Sequence, residues 1–188
     1  IGKGSQTMQR VNADGTFGDS DRDRGRRVRI VGSGAGADVH ADLAVAVPAG
    51  RSVEVYLAAG SVSVTNVNGS LAFDLSAADL RVTGGKGEIV ADVGAGNVDV
   101  SGTDGPLRID TGSGNVRLTD VKAASLHVDT GSGDVIATGV VAMHTAIDAG
   151  SGDIELRASQ SMESSLESGS GDITIELAGA PGKLHVET

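Results

Sequence analysis

Cysteine and tryptophan are absent from this chain of 188 residues, and tyrosine (1), phenylalanine (2) and proline (3) are scarce. Without cysteine no disulfide can staple the fold, and the redox compartment is left undecided. Helical bundles and α/β enzymes usually pack around bulky aromatics, so their scarcity argues against both. Sugar-binding surfaces usually present aromatic platforms, and Phe17, Tyr56 and Phe73 are too few to build one. No apolar run approaches the roughly 20 residues that span a bilayer. Acidic side chains outnumber basic ones by 25 to 15, for a net charge of −10. That balance argues against a nucleic-acid partner, because phosphate binding depends on Lys and Arg. No secretory signal is present, and Ile1 in place of Met fits a mature or trimmed product whose export signal has gone.

What the chain does have is glycine, 29 residues of it, together with Val, Ala, Leu and Ile. Much of the glycine falls in a repeat. Aligned on Gly-Ser-Gly, the turns start at Gly94, Gly112, Gly131, Gly150 and Gly169, and weaker copies lie at Ser76-Ala77-Ala78 and Ala58-Ala59-Gly60. Self-similarity at a fixed period of roughly 20 residues is the mark of a solenoid. The expected fold is all-β, a single-domain parallel β-solenoid of about seven coils. Residues 1–27 fall outside the pattern as an N-terminal arm, and residues 28–188 form the solenoid, with registered repeats from residue 53. Charge follows the same division: residues 1–29 carry seven basic and four acidic side chains, the remainder eight basic and 21 acidic. The alternating charges of DRDRGRRVR, Asp21 to Arg29, read as a solvated loop.

Within one repeat, LRIDTGSGNVRLTDV from Leu107, the apolar residues alternate with polar ones on both sides of the Gly-Ser-Gly corner. Period-two alternation means a strand with one buried face, so each coil is strand, corner, strand and return loop. Stacked coils make two inward columns, Phe73-Ala91-Ile109-Val128-Ile147-Leu166 and Val62-Leu80-Val98-Val116-Val135-Ile154-Ile173. The corner glycines answer to a positive φ or a cramped backbone.

Two outward columns are acidic. Asp74, Asp92, Asp110, Asp129, Asp148 and Glu167 precede the corners; Ser61, Asp79, Asn97, Asn115, Asp134, Asp153 and Asp172 follow them. Carboxylates stacked about 5 Å apart in water repel by somewhat under ~1 kcal/mol per pair, so something should offset them. One candidate is a calcium ladder on Asp110, Asp129, Asp134, Asp148, Asp153 and Asp172, since calcium takes oxygen ligands. The other is that the short Asp and Asn side chains accept backbone N–H bonds at the corner. The known calcium-binding roll repeats have a nine-residue period and a GGxGxD pattern, which this chain lacks, so no cofactor is the primary expectation.

Catalytic constellations do not emerge. Asp-Thr-Gly-Ser occurs at Asp110 and again at Asp129, as in aspartic proteases, but both belong to a column of six acids rather than to a facing pair. Ser113, Ser132, Ser151 and Ser170 are corner serines with no histidine at a fixed offset. His40, His127, His144 and His185 are scattered, whereas zinc needs three or four convergent ligands. Gly32-Ser33-Gly34-Ala35-Gly36 resembles a phosphate loop only in glycine content.

LAVAVPAG at Leu43 to Gly50, SVEVYLAAGSVSV after it, and the recurring DTGSGDV rows resemble the bacterial adhesin-type family of repetitive β-solenoid domains. The resemblance covers roughly residues 28–188. It implies a domain without settled activity, on or exported to the cell envelope, and supplies no catalytic residues. The expected protein is therefore a noncatalytic structural solenoid, extracellular or at the cell surface. Its expected partner is itself: LHVET at Leu184 to Thr188 repeats LHVDT at Leu126 to Thr130 and stops where the next corner should begin. Leu184, His185, Val186, Glu187 and Thr188 would accept another copy head to tail, extending a filament. The alternative is a monomeric surface adhesin or envelope protein-binding module.

Overall fold

The computed structural model describes residues 6–11, 26–31, 42–179 and 182–188. Among them the chain forms strands and no helix. β1 (Gln6–Val11) and β2 (Arg26–Val31) pair antiparallel as a separate two-stranded sheet. The boundary expected between residues 27 and 28 falls inside β2, whose partner is β1 and not a solenoid strand. The stretch Asp21–Arg29, read as a loop, is strand from Arg26 onward. Gly32–Gly36 and His40 lie outside the described residues.

From Val53 the coils follow as β3 (Val53–Thr65), β4 (Leu71–Thr83), β5 (Ile89–Ala95), β6 (Val98–Ser101), β7 (Leu107–Ser113) and β8 (Val116–Thr119). They continue as β9 (Lys122–Thr130), β10 (Val135–Thr138), β11 (Val141–Ala149), β12 (Ile154–Ser168), β13 (Ile173–Leu177) and β14 (Lys183–Glu187). Every pairing among them is parallel. Strands before the corner stack as β3-β4-β5-β7-β9-β11-β12-β14, and strands after it as β3-β4-β6-β8-β10-β12-β13, because β3, β4 and β12 run through the corner unbroken. This is the parallel β-solenoid of about seven coils expected from the repeat.

Both inward columns form as read. Phe73, Ala91, Ile109, Val128, Ile147 and Leu166 are in-register neighbours and all buried, and Val55 and Val186 extend the column at its two ends. In the second column Leu80 through Ile154 are buried, while Val62 and Ile173, on the terminal coils, are half-buried. Each fully buried Val, Leu or Ile contributes about 1.5–3 kcal/mol, and because every coil adds its own set, the core grows with the repeat and not with any bulky residue.

The period lengthens along the chain for a local reason. In the early coils Asn68, Lys86 and Asp104 bridge one another, and each precedes its strand by a Gly-containing step: Asn68-Gly69-Ser70-Leu71, Lys86-Gly87-Glu88-Ile89, Asp104-Gly105-Pro106-Leu107. In the three coils whose steps begin at Lys122, Val141 and Gln160 this step is glycine-free and longer by a single residue, and it joins the strand itself in β9, β11 and β12. The register advances accordingly: Ile89 lies under Leu107, but Leu107 lies under Leu126, a single position further along than the earlier spacing would give. The last coil stretches by another position. His144 pairs with Glu163, and Glu163 with Lys183, beyond an irregularity between Arg157 and Ser159.

The corner glycines are required mainly by stacking. A Cβ on Gly112 would press on the Gly94 carbonyl, one on Gly131 on the Gly112 carbonyl, and so down the column. Positive φ adds to this at Gly96 and Gly114. Close approach between coils, more than turn geometry, is thus what writes Gly-Ser-Gly into each repeat.

Val116 packs between Val98 and Val135 at 1% exposure, whereas its neighbour Arg117 faces solvent. Val116→Asp buries an unpaired carboxylate and is expected to cost at least ~3 kcal/mol, against less than about 1 kcal/mol for Arg117→Asp. Thermal melts giving equal losses would contradict the inside-outside assignment.

Candidate functional site

Three surfaces stand out among the described residues once the core is formed: two acidic columns counted together, an apolar groove, and the open C-terminal edge. The column before the corners is a continuous row in which Asp74, Asp92, Asp110, Asp129, Asp148 and Glu167 are successive in-register partners, and Glu187 of β14 extends it. Asp110 and Asp129, the two Asp-Thr-Gly-Ser aspartates, are neighbouring rungs on the solvent face of one sheet. Burial pushes the Asp74 carboxyl above the ordinary 3.8, and the Asp92 charge beside it pushes the same way.

The column after the corners is tied together differently. The Asn97 N–H donates to Asp79 Oδ1 at 2.8 Å, Asn115 N–H to Asn97 Oδ1 at 3.1 Å, and Asp134 N–H to Asn115 Oδ1 at 3.0 Å. Asp153 N–H donates to Asp134 Oδ1 at 3.0 Å and Asp172 N–H to Asp153 Oδ1 at 2.9 Å. Each side chain therefore holds the backbone of the next coil rather than of its own. A carboxylate or amide oxygen is needed at every rung for this, which accounts for the Asp and Asn run in chemical terms. Among the described residues, none of the six calcium candidates belongs to a group of three ligands within bonding reach of one ion. The group that does form, Glu167, His185 and Glu187, was not singled out as ligands by sequence reading. Its signal was the repeated LHV(D/E)T, readable only once the stretched register of the last coil is known.

Catalytic candidates stay apart. Ser113, Ser132, Ser151 and Ser170 are exposed at the corners, and among the described residues none is hydrogen-bonded to a histidine. His144 Nδ1 lies 3.4 Å from Glu163 Oε2, and His185 Nε2 lies 3.7 Å from Glu187 Oε2.

On the flank where the return loops become strand, an open groove is lined by Ala123, Ala124, Val141, Met143, Gln160 and Met162. Met143 is 53% and Met162 68% exposed. At the C-terminal end, β13 and β14 each pair on one side with β12 and, among the described residues, with nothing on the other. Leu184 (42%) and Val186 (43%), two of the five residues expected to self-associate, are exposed there. Ile173, Ile175 and Leu177 of β13 are half-buried.

The ladder predicts that Asp134→Ala, which removes the acceptor for Asp153 N–H, costs about 1 kcal/mol in denaturant unfolding. Asp134→Asn retains an acceptor, removes a charge from the column, and should be no less stable than the parent. Asp74 makes a pH-dependent prediction. Its folded-state pKa is raised, so its favourable contribution is complete below the unfolded value and is lost as pH rises through the folded one. Asp74→Asn is therefore expected to raise the melting temperature at pH 7, with the gain shrinking as pH falls toward the ordinary carboxylate range near 4. An equal or lower melting temperature for the variant at pH 7 would contradict this.

Among the described residues no helix is long and apolar enough to cross a membrane. No curated protein and no solved structure matches the chain. The family model described as Toastrack DUF4097 matches residues 41–188, the span of the solenoid repeats. With that match over most of its length and a parallel β-solenoid beneath it, the chain belongs to the Toastrack family of repetitive β-solenoid domains of unknown function.

Proposed function

We propose that this Toastrack domain is a noncatalytic structural protein of the extracellular space or cell surface that assembles head to tail with copies of itself. One observation carries the reading: the edges of β13 and β14 that face away from β12 are unpaired among the described residues, and the apolar columns continue out to them. Val186 sits in register above Leu166, so the core column ends on an exposed valine. At the other end β3 pairs, among the described residues, with β4 alone, and Val53, Val55, Val62 and Val64 are half-buried. The two ends of the described solenoid thus present the same parallel strands with the same inward columns. Unpaired edges of this kind template strand addition, and a heterologous contact that does not close generates a filament. The extracellular placement rests on the resemblance to envelope-exported adhesin-type domains. The corner ladder is accounted for without a cofactor, since Asp79, Asn97, Asn115, Asp134 and Asp153 each accept a backbone N–H of the next coil through Oδ1.

The groove supports a second reading, a monomeric surface adhesin or envelope protein-binding module, since exposed methionines adapt to apolar partners.

Deletion of Leu184–Thr188, or Val186→Lys at the edge, is expected to abolish assembly seen by negative-stain microscopy and light scattering while the upstream coils keep their β circular dichroism. A parent chain that stays monomeric at high concentration and ordinary salt would refute head-to-tail assembly and leave the binding-module reading.

A further inference from the structure

The outer face of the last coil brings two rungs of the acidic column before the corners, Glu167 and Glu187, together with a histidine, His185. Glu187 and Glu167 are in-register neighbours on β14 and β12, and His185, two positions before Glu187, projects from the same face of its strand. One ligand atom from each of Glu167, His185 and Glu187 lies within 4.8 Å of the other two. The Ser165 hydroxyl, in register with His185, donates to Glu167 Oε1 at 3.4 Å and steadies that carboxylate.

We propose that Glu167, His185 and Glu187 form a binding site for a divalent transition-metal ion of the zinc class. The site is separate from the self-assembly reading and stands whether or not the chain polymerises. Imidazole with two carboxylates suits zinc and its neighbours, whereas calcium takes oxygen ligands only. Tetrahedral bonds of about 2.0–2.1 Å place ligand atoms roughly 3.4 Å apart. Closing from the present spacing is within reach of three exposed, rotatable side chains whose backbones the strand register already holds side by side. Three protein ligands leave a fourth position for water.

The molecule carries its own control. Leu126-His127-Val128-Asp129-Thr130 is the same motif on β9, and Asp129 has acidic partners in Asp110 and Asp148. His127, however, is half-buried and stands in register with Arg108 on one side and Ala146 on the other. A guanidinium beside the imidazole repels a dication, and no three-ligand group forms there among the described residues. In the last coil that column holds Ser165 instead, and the positive neighbour is gone.

Calorimetric titration of the untagged 188-residue chain with Zn2+ tests the assignment, with circular dichroism confirming that each variant is folded. The parent should bind one ion per chain. His185→Ala and Glu167→Gln should each weaken binding by at least about tenfold, the scale on which even outer-shell partners act. His127→Ala should leave binding unchanged, and excess Ca2+ should not compete. Because Glu167 lies on β12 inside the solenoid, its variant keeps the test decisive if His185→Ala loosens β14. Absence of Zn2+ binding, binding unaffected by His185→Ala and Glu167→Gln, or binding displaced by Ca2+ would each overturn the proposal.

Discussion

Hydrogen bonds between parallel strands held in register are the constraint on which this molecule depends. At a strand spacing of about 4.8 Å, each residue sits directly over its counterpart in the coil before. Every position therefore becomes a column, and whatever a side chain does, it does next to its own kind. For apolar positions this is favourable, and the Ile109 column packs into a continuous core that is aliphatic from Ala91 to Leu166, with Phe73 at its N-terminal end. Glycines follow from the same spacing: where carbonyls of successive corners face the next Cα, there is no room for Cβ.

Charge is where columns become costly, and the two acidic rows answer that cost differently. After the corners, each Asp or Asn oxygen accepts the N–H of the coil above, so a repulsive row becomes a hydrogen-bonded ladder. Before the corners no such ladder forms among the described residues, and the raised pKa of Asp74 is the visible sign of burial and crowding there. On the other faces, cross-coil pairs such as Arg81–Asp99 at 3.0 Å and Lys86–Asp104 at 3.4 Å alternate sign along the column. Exposed pairs of this kind contribute little, typically under ~1 kcal/mol, but they avoid a third like-charged row.

Repetition also locates what is distinctive. An interior coil has its backbone groups and apolar face satisfied by two neighbours, and a terminal coil by one. The edges of β13 and β14 left unpaired among the described residues, the exposed Leu184 and Val186, and the Glu167–His185–Glu187 cluster all lie at the C-terminal end, where β14 stretches the register past that of the interior coils. The interior coils repeat one arrangement of side chains, and the exceptions to that arrangement bring together the groups that differ from it.

The repeat itself determined most of the architecture. Alternation around Gly-Ser-Gly identified both inward columns and both acidic rows by residue, because a period-two strand in a fixed coil length leaves each side chain only one face and one neighbour. Tertiary structure alone decided the rest. Whether Asp134 binds its own corner or the next coil depends on the stagger between coils, which no single repeat encodes. The extra residue after Lys122 could be counted in the sequence, but its effect, converting a glycine step into strand and opening a groove beside Met143 and Met162, needs the stacked neighbours. Likewise Glu167 could be placed in a column, yet its meeting with His185 depends on β14 pairing one position further along than the interior spacing would give, Glu167 with Glu187 against Asp148 with Glu167, which the regular spacing upstream conceals.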